Sequence, residues 1–86
     1  MKLLKFKAEW CGPCKIMSPV VEKIAEKYDL KVVEIDADEN FKKLERWNVQ
    51  TIPTVLLVHR GEEIGRVIGA KTFAQTEEGL MLELEI

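Results

Sequence analysis

The 86 residues contain only two cysteines, and they stand two places apart in Trp10-Cys11-Gly12-Pro13-Cys14-Lys15. This stretch follows a strand-like run and opens a helix-like run, and it constrains the chain more than any other. Two thiols at that spacing can close a small disulfide or supply half of a metal site. A helix start presents unsatisfied backbone N–H groups and the positive end of the helix dipole to the sulfur of Cys11. Both favour a thiolate, the reactive form of the group. Pro13 suits the first helical turn, where a missing N–H costs nothing, and Lys15 adds a positive charge. Cys14 lies one turn in, within reach of a disulfide that Cys11 has formed with a partner. The pattern therefore supplies an attacking thiol and a resolving thiol. Glycine and proline between the cysteines, with Trp10 before them, suit an exposed turn rather than a buried structural pair. Tetrahedral zinc needs four ligands. The motif offers two and the single histidine, His59, belongs to a strand, so only a dimer could complete a metal set.

Residues 1–86 read as one α/β domain, long enough to bury one modest core. Residues 2–8 form a strand with Leu4, Phe6 and Ala8 on one face. Residues 12–28 form a helix whose inward stripe is Ile16, Val20, Ile24 and Tyr28, with Met17, Val21 and Ala25 beside it. Pro19 inside this helix removes a hydrogen bond and predicts a kink. Residues 31–36 form a second strand, so the first three elements make a right-handed parallel crossover. Residues 40–47 read as a short helix with Phe41, Leu44 and Trp47 inward. Residues 54–59 are apolar on both faces and form an internal strand. Arg60-Gly61-Glu62 is a hairpin turn into a fourth strand, 63–68. A last helix, about 72–85, carries Phe73, Leu80, Met81 and Leu84 on one side and is weakened by Gly79. This order requires one mixed sheet with helices on both faces. Glu9, Lys42, Lys43, Glu45, Arg46 and the charges at 62, 63 and 66 read as solvated.

Charge and hydropathy exclude several function classes. The net charge is -2, from 13 basic and 15 acidic residues, with no basic stripe for nucleic acid. No apolar run approaches the length of a membrane span. The first seven residues carry a charge at every second or third place, which rules out the apolar core of a signal peptide. A cytoplasmic protein is expected, and in a reducing compartment such a cysteine pair is catalytic or metal-binding.

The hexapeptide resembles the active site of the thioredoxin family, and the likeness runs from about Leu3 onward. Pro19 falls where that family bends its active-site helix. Ile52-Pro53-Thr54 resembles its cis-proline turn, and Gly61 and Gly69 match the glycines of its last hairpin. The resemblance implies a three-layer fold with a four-stranded sheet in the order 2-1-3-4, strands 3 and 4 antiparallel, and three helices. It implies a cis bond at Pro53, set against the cysteines, and an Ile52 backbone that pairs with a bound peptide as an added strand. Trp10, Gly12, Pro13, Ile52, Pro53, Gly69 and Ala70 would form the contact surface.

The function so implied is protein-disulfide reduction by a monomer. Cys11 attacks, Cys14 resolves, and the reversible Cys11–Cys14 disulfide takes the place of a bound cofactor. The partners would be disulfide-containing proteins and an external donor of the thioredoxin reductase kind. No dinucleotide-binding fingerprint occurs, so the donor's flavin would sit outside this chain.

Two departures from the family stand out. The family's front strand and helix have no counterpart before Leu3, and the size approaches that of glutaredoxins. A glutathione-coupled, glutaredoxin-like reading therefore competes. Against it stand Gly12-Pro13 between the cysteines, where that family has Pro-Tyr, and Gly69-Ala70-Lys71-Thr72, which lacks its paired glycines and acidic residue. A binding subunit that uses the fold as a protein clamp is a further alternative. The second departure lies beneath the motif. Thioredoxins carry an aspartate six residues before the first cysteine, near a lysine of the next strand, and it helps move the resolving cysteine's proton. Here those positions are Lys5 and Glu34. Two readings stand for these positions: two separate solvated residues, which the missing front helix would allow, or a reversed pair in which Glu34 accepts the Cys14 proton directly or through water and Lys5 favours thiolates by its charge.

Overall fold

Apolar residues on both faces of two strands force this chain into layers. In β1 (Lys2–Lys7) and β3 (Thr54–His59), all but the end positions are buried. The structure, a computed structural model, describes residues 1–80. Met81 and Leu84, read above as part of the last helix, lie outside the described residues. The remaining elements are α1 (Gly12–Tyr28), β2 (Lys31–Asp36), α2 (Phe41–Arg46), β4 (Glu62–Ile68) and α3 (Phe73–Gly79). The sheet order is β2-β1-β3-β4. β1 runs parallel to β2 and antiparallel to β3, and β3 pairs antiparallel with β4. This is the mixed four-stranded sheet with three helices that the sequence implied.

One face of the sheet is covered by α1 and α3 around Leu3, Met17, Val21, Ile24, Leu57 and Leu80. The other holds Leu4, Phe6, Ile35, Leu56 and Val58, with Leu44 and Trp47 of the α2 region packed on it. Strand alternation thus sends Leu3 and Lys5 toward α1 and Leu4 and Phe6 toward α2.

Three expectations about side-chain placement need correction. α1 runs its full length through Pro19, but its buried residues are Cys14, Met17, Val21 and Ile24, while Ile16 is 66% exposed. The stripe is turned so that Cys14 faces inward. Phe41 is exposed as well, because the short α2 packs through Leu44 instead. Arg66 is not simply solvated. Its guanidinium donates to the Asn48 carbonyl at 3.0 Å and to the Trp47 carbonyl, and it binds Glu63 at 2.8 Å. It therefore satisfies carbonyls left over at the end of α2 and ties that helix to β4.

A second tie joins α1 to α3. The buried Glu77 carboxylate accepts from Lys27 Nζ at 2.5 Å and from the Tyr28 hydroxyl. Lys27 first, and then Tyr28, hold the Glu77 carboxyl below its ordinary 4.5. Glu77 in turn raises Lys27 above 10.5. The carboxylate's contribution is fully present above its unfolded value and is lost as pH falls through its lower folded value. The ammonium's contribution is present below its unfolded value and is lost as pH rises through its higher folded value. Glu77→Gln should therefore flatten both the acid and the alkaline limbs of stability against pH. Urea midpoints measured in acid, at neutrality and in alkali check this, and a wild-type profile in the variant would refute it.

Candidate active site

Cys11 becomes the helix N-cap because Gly12 and Pro13 can start a helix directly after it. Its backbone is extended (φ -88, ψ 105) and its Sγ accepts the N–H of Cys14 at 3.1 Å. A capping side chain normally supplies an oxygen to this orphan donor; here sulfur does so, which favours a thiolate at Cys11. The Cys11 N–H donates back to the Ala8 carbonyl at 3.2 Å, fixing the turn out of β1. Cys11 and Cys14 are joined as a disulfide with their Cα atoms 5.3 Å apart. The expected exposed turn holds for Gly12 and Pro13 but not for the cysteines, which are only 4% and 3% exposed. They pack with Ala8, and Ile52 lies against them.

The Ile52–Pro53 bond is cis. The Pro53 carbonyl accepts the Gly69 N–H at 2.8 Å. Gly69 has φ +88, a conformation that glycine adopts without steric cost. The cis-proline turn and the end of β4 are thereby locked together. Ala70 follows and is exposed.

On the far side, Trp10 stands 70% exposed and its indole N–H donates to Asp38 Oδ2 at 2.8 Å. Trp10, Phe41 and Ile52 border one shallow groove. The apolar Phe41, assigned to the core by periodicity, thus belongs to the rim of this site. The role of Asp38 was not read from the sequence; no spacing rule ties it to a tryptophan twenty-eight places away.

Beneath the disulfide, Lys5 Nζ lies 3.1 Å from Glu34 Oε2 and 2.6 Å from Ser18 Oγ. The two charged residues are direct neighbours in the β1–β2 register. Ser18 Oγ donates to the Cys14 carbonyl at 3.1 Å. Ser18 was also missed, although it stands one helical turn after Cys14 and so had to share its face. Lys15 is exposed but lines the same cleft as Cys14. Among the described residues, no group of three or more His, Cys, Asp or Glu side chains gathers into a metal site.

A disulfide at a helix start, packed against a cis-proline turn on a 2-1-3-4 sheet, defines a dithiol–disulfide protein. The family model described as Thioredoxin matches residues 1–81. "Thioredoxin 1" of a Nostoc species is 38% identical over 81 residues, covering 88% of this chain and 76% of the relative. "Thioredoxin H2-1" of rice is 41% identical over 69 residues, covering 79% of this chain. The chain spans only 50% of the rice protein's length. The structure of thioredoxin 1 from Thermosipho africanus superposes with a TM-score of 0.84 at 30% identity, covering 99% of this chain and 96% of that one. The chain belongs to the thioredoxin family.

Proposed function

We propose that this chain reduces disulfides in other proteins, with Cys11 as the attacking thiolate and Cys14 as the resolving thiol. The observation that carries this reading is the 3.1 Å hydrogen bond from the Cys14 N–H to Cys11 Sγ. It singles out Cys11 as the sulfur whose negative charge the helix start stabilises. Gly12 and Pro13 stand exposed around it, and Ile52 packs beside it. A substrate backbone can approach such a side-chain-poor surface closely. The Ile52 backbone would pair with a substrate strand. Trp10, Pro53, Gly69 and Ala70 complete the contact surface, and the Trp10–Phe41–Ile52 groove would receive an apolar side chain near the substrate disulfide.

The protein would act as a monomer in the cytoplasm, with its electrons supplied by an external flavin-dependent reductase. No helix among the described residues is long and apolar enough to cross a membrane. The donor is tested by following NADPH oxidation during insulin reduction, with thioredoxin reductase in one arm and with glutathione plus its reductase in the other. Turnover in the first arm is expected. Turnover confined to the second would assign the chain to the glutathione-coupled class.

A further inference from the structure

Lys5 is the only buried lysine among the described residues, its side chain 6% exposed. A buried charge is costly unless it is paired and hydrogen-bonded. Lys5 has both kinds of partner, Glu34 and Ser18, and the chain of contacts continues from Ser18 to the Cys14 carbonyl. An ion pair whose carboxylate is more than half exposed, as Glu34 is, contributes little net stability, so a stability role gives a weak reason for this arrangement. Its position gives a better one. Lys5, Ser18, Glu34 and Cys14 line one cleft of about 350 Å³, with room for water. The other charged groups facing it are Lys7 of β1, Glu9 of the following turn and Lys15 of α1. Around Cys14 there are thus three cations and two carboxylates.

We propose that Lys5 is a built-in positive charge that stabilises the Cys14 thiolate, raising the reduction potential of the dithiol and easing resolution. Lys5 touches neither substrate nor sulfur and acts through its charge, positioned by Glu34 and Ser18. The inference rests on the dithiol exchange proposed above. In that exchange the Cys11 thiolate bonds to one substrate sulfur and the other substrate sulfur leaves as a thiolate. Cys14 gives its proton to water in the cleft and attacks Cys11 Sγ. The bond from Cys11 to substrate breaks, and both substrate thiolates take up protons. The protein has lost two electrons and the substrate disulfide has gained them. Negative charge on Cys14 exists only while the disulfide is open, so a fixed cation nearby favours the open states. Glu34 partly neutralises Lys5 and is a counter-charge, not the destination of the proton.

The effect has a defined pH window. It is absent below the thiol pKa, where Cys14 is neutral in both wild type and variant, and full above it. The test equilibrates the whole chain with a glutathione redox buffer from neutral to alkaline pH, comparing wild type with Lys5→Met, Lys5→Arg and Glu34→Gln. Lys5→Met should make the protein more reducing in alkali by about tenfold in the equilibrium constant, or about 30 mV for this two-electron couple. Lys5→Arg should keep the wild-type value. Glu34→Gln, at a side chain 56% exposed and so a small risk to folding, should shift the potential the opposite way and move resolution to lower pH. Shifts of one sign in both neutralising variants, or shifts independent of pH, would reduce the pair to packing and overturn the inference. Resolution slowed at every pH in Glu34→Gln would make Glu34 the proton acceptor and overturn the counter-charge assignment. A wild type that fails to equilibrate with the buffer would instead sink the dithiol reading, and this inference with it.

Discussion

Cys11→Ser should bring insulin reduction down to the rate seen without protein, a complete rather than a partial loss. Exchange requires a sulfur that can carry negative charge at neutral pH and form a bond to another sulfur. A serine hydroxyl does neither. No other thiol can take over, because the sequence holds only two cysteines. Cys14 is poorly placed to attack an external disulfide. The two sulfurs are about equally buried, but Cys14 lies a turn inside the helix and donates its backbone N–H to the sulfur of Cys11, so the helix start favours charge on Cys11 and not on Cys14. Cys14→Ser should also lose turnover, but for a different reason: the first attack proceeds and the product cannot be released. Steady-state rates with NADPH and thioredoxin reductase as donor, in the absence of small thiols that would themselves cleave the mixed disulfide, check both variants. Appreciable turnover in Cys11→Ser would show that the helix-start sulfur is not the nucleophile.

Gly65→Ala should cost about 3 kcal/mol of stability, at the upper end for overpacking, and lower the melting temperature by roughly 15 °C. Gly65 sits in β4 opposite Leu57. A Cβ there would stand 2.7 Å from the Leu80 carbonyl oxygen and 2.8 Å from its carbonyl carbon and Cα. Those are backbone atoms, so no rotamer change relieves the clash; the end of α3 must move. Leu80 is fully exposed to the strain of that move, since it is completely buried in the core between α1, α3 and the sheet. The Lys27–Glu77–Tyr28 tie would loosen with it. The cysteines belong to a separate cluster with Ala8 and Ile52, so exchange activity should survive below the melting transition. A wild-type melting temperature in this variant would mean that α3 does not dock so closely on β4.

The strands and the motif were legible in the sequence because each rests on a local signal. The Leu3, Leu4 and Phe6 pattern of β1, the apolar run of β3 and the cysteine–glycine–proline punctuation of α1 need no distant partner to be read. The phase of α1 was not local. Ile16-Val20-Ile24 and Met17-Val21-Ile24 both satisfy a helical period, and both were available to the same helix. Closure of Cys14 onto Cys11, with Ile52 against the pair, selects the second and leaves Ile16 in solvent. Phe41 was misplaced for a related reason: an apolar residue at a binding rim has the same hydropathy as one in a core. Arg66 and Ser18 escaped because their partners, the carbonyls at the end of α2 and the ammonium of Lys5, are set by tertiary contacts. The Lys5–Glu34 juxtaposition was legible only through the family likeness, which put both on adjacent strands at matching depth. Thr72 and Gln75 form a capping box at the start of α3, a local signature that the sequence carried and that composition obscured.

The division of labour between the two sulfurs is tested most directly by intact-mass spectrometry of the reduced variants mixed with a peptide disulfide. Cys14→Ser should accumulate a one-to-one mixed disulfide through Cys11, reversible by dithiothreitol, while Cys11→Ser should accumulate none. The reverse pattern, with the adduct held by Cys14, would contradict the account.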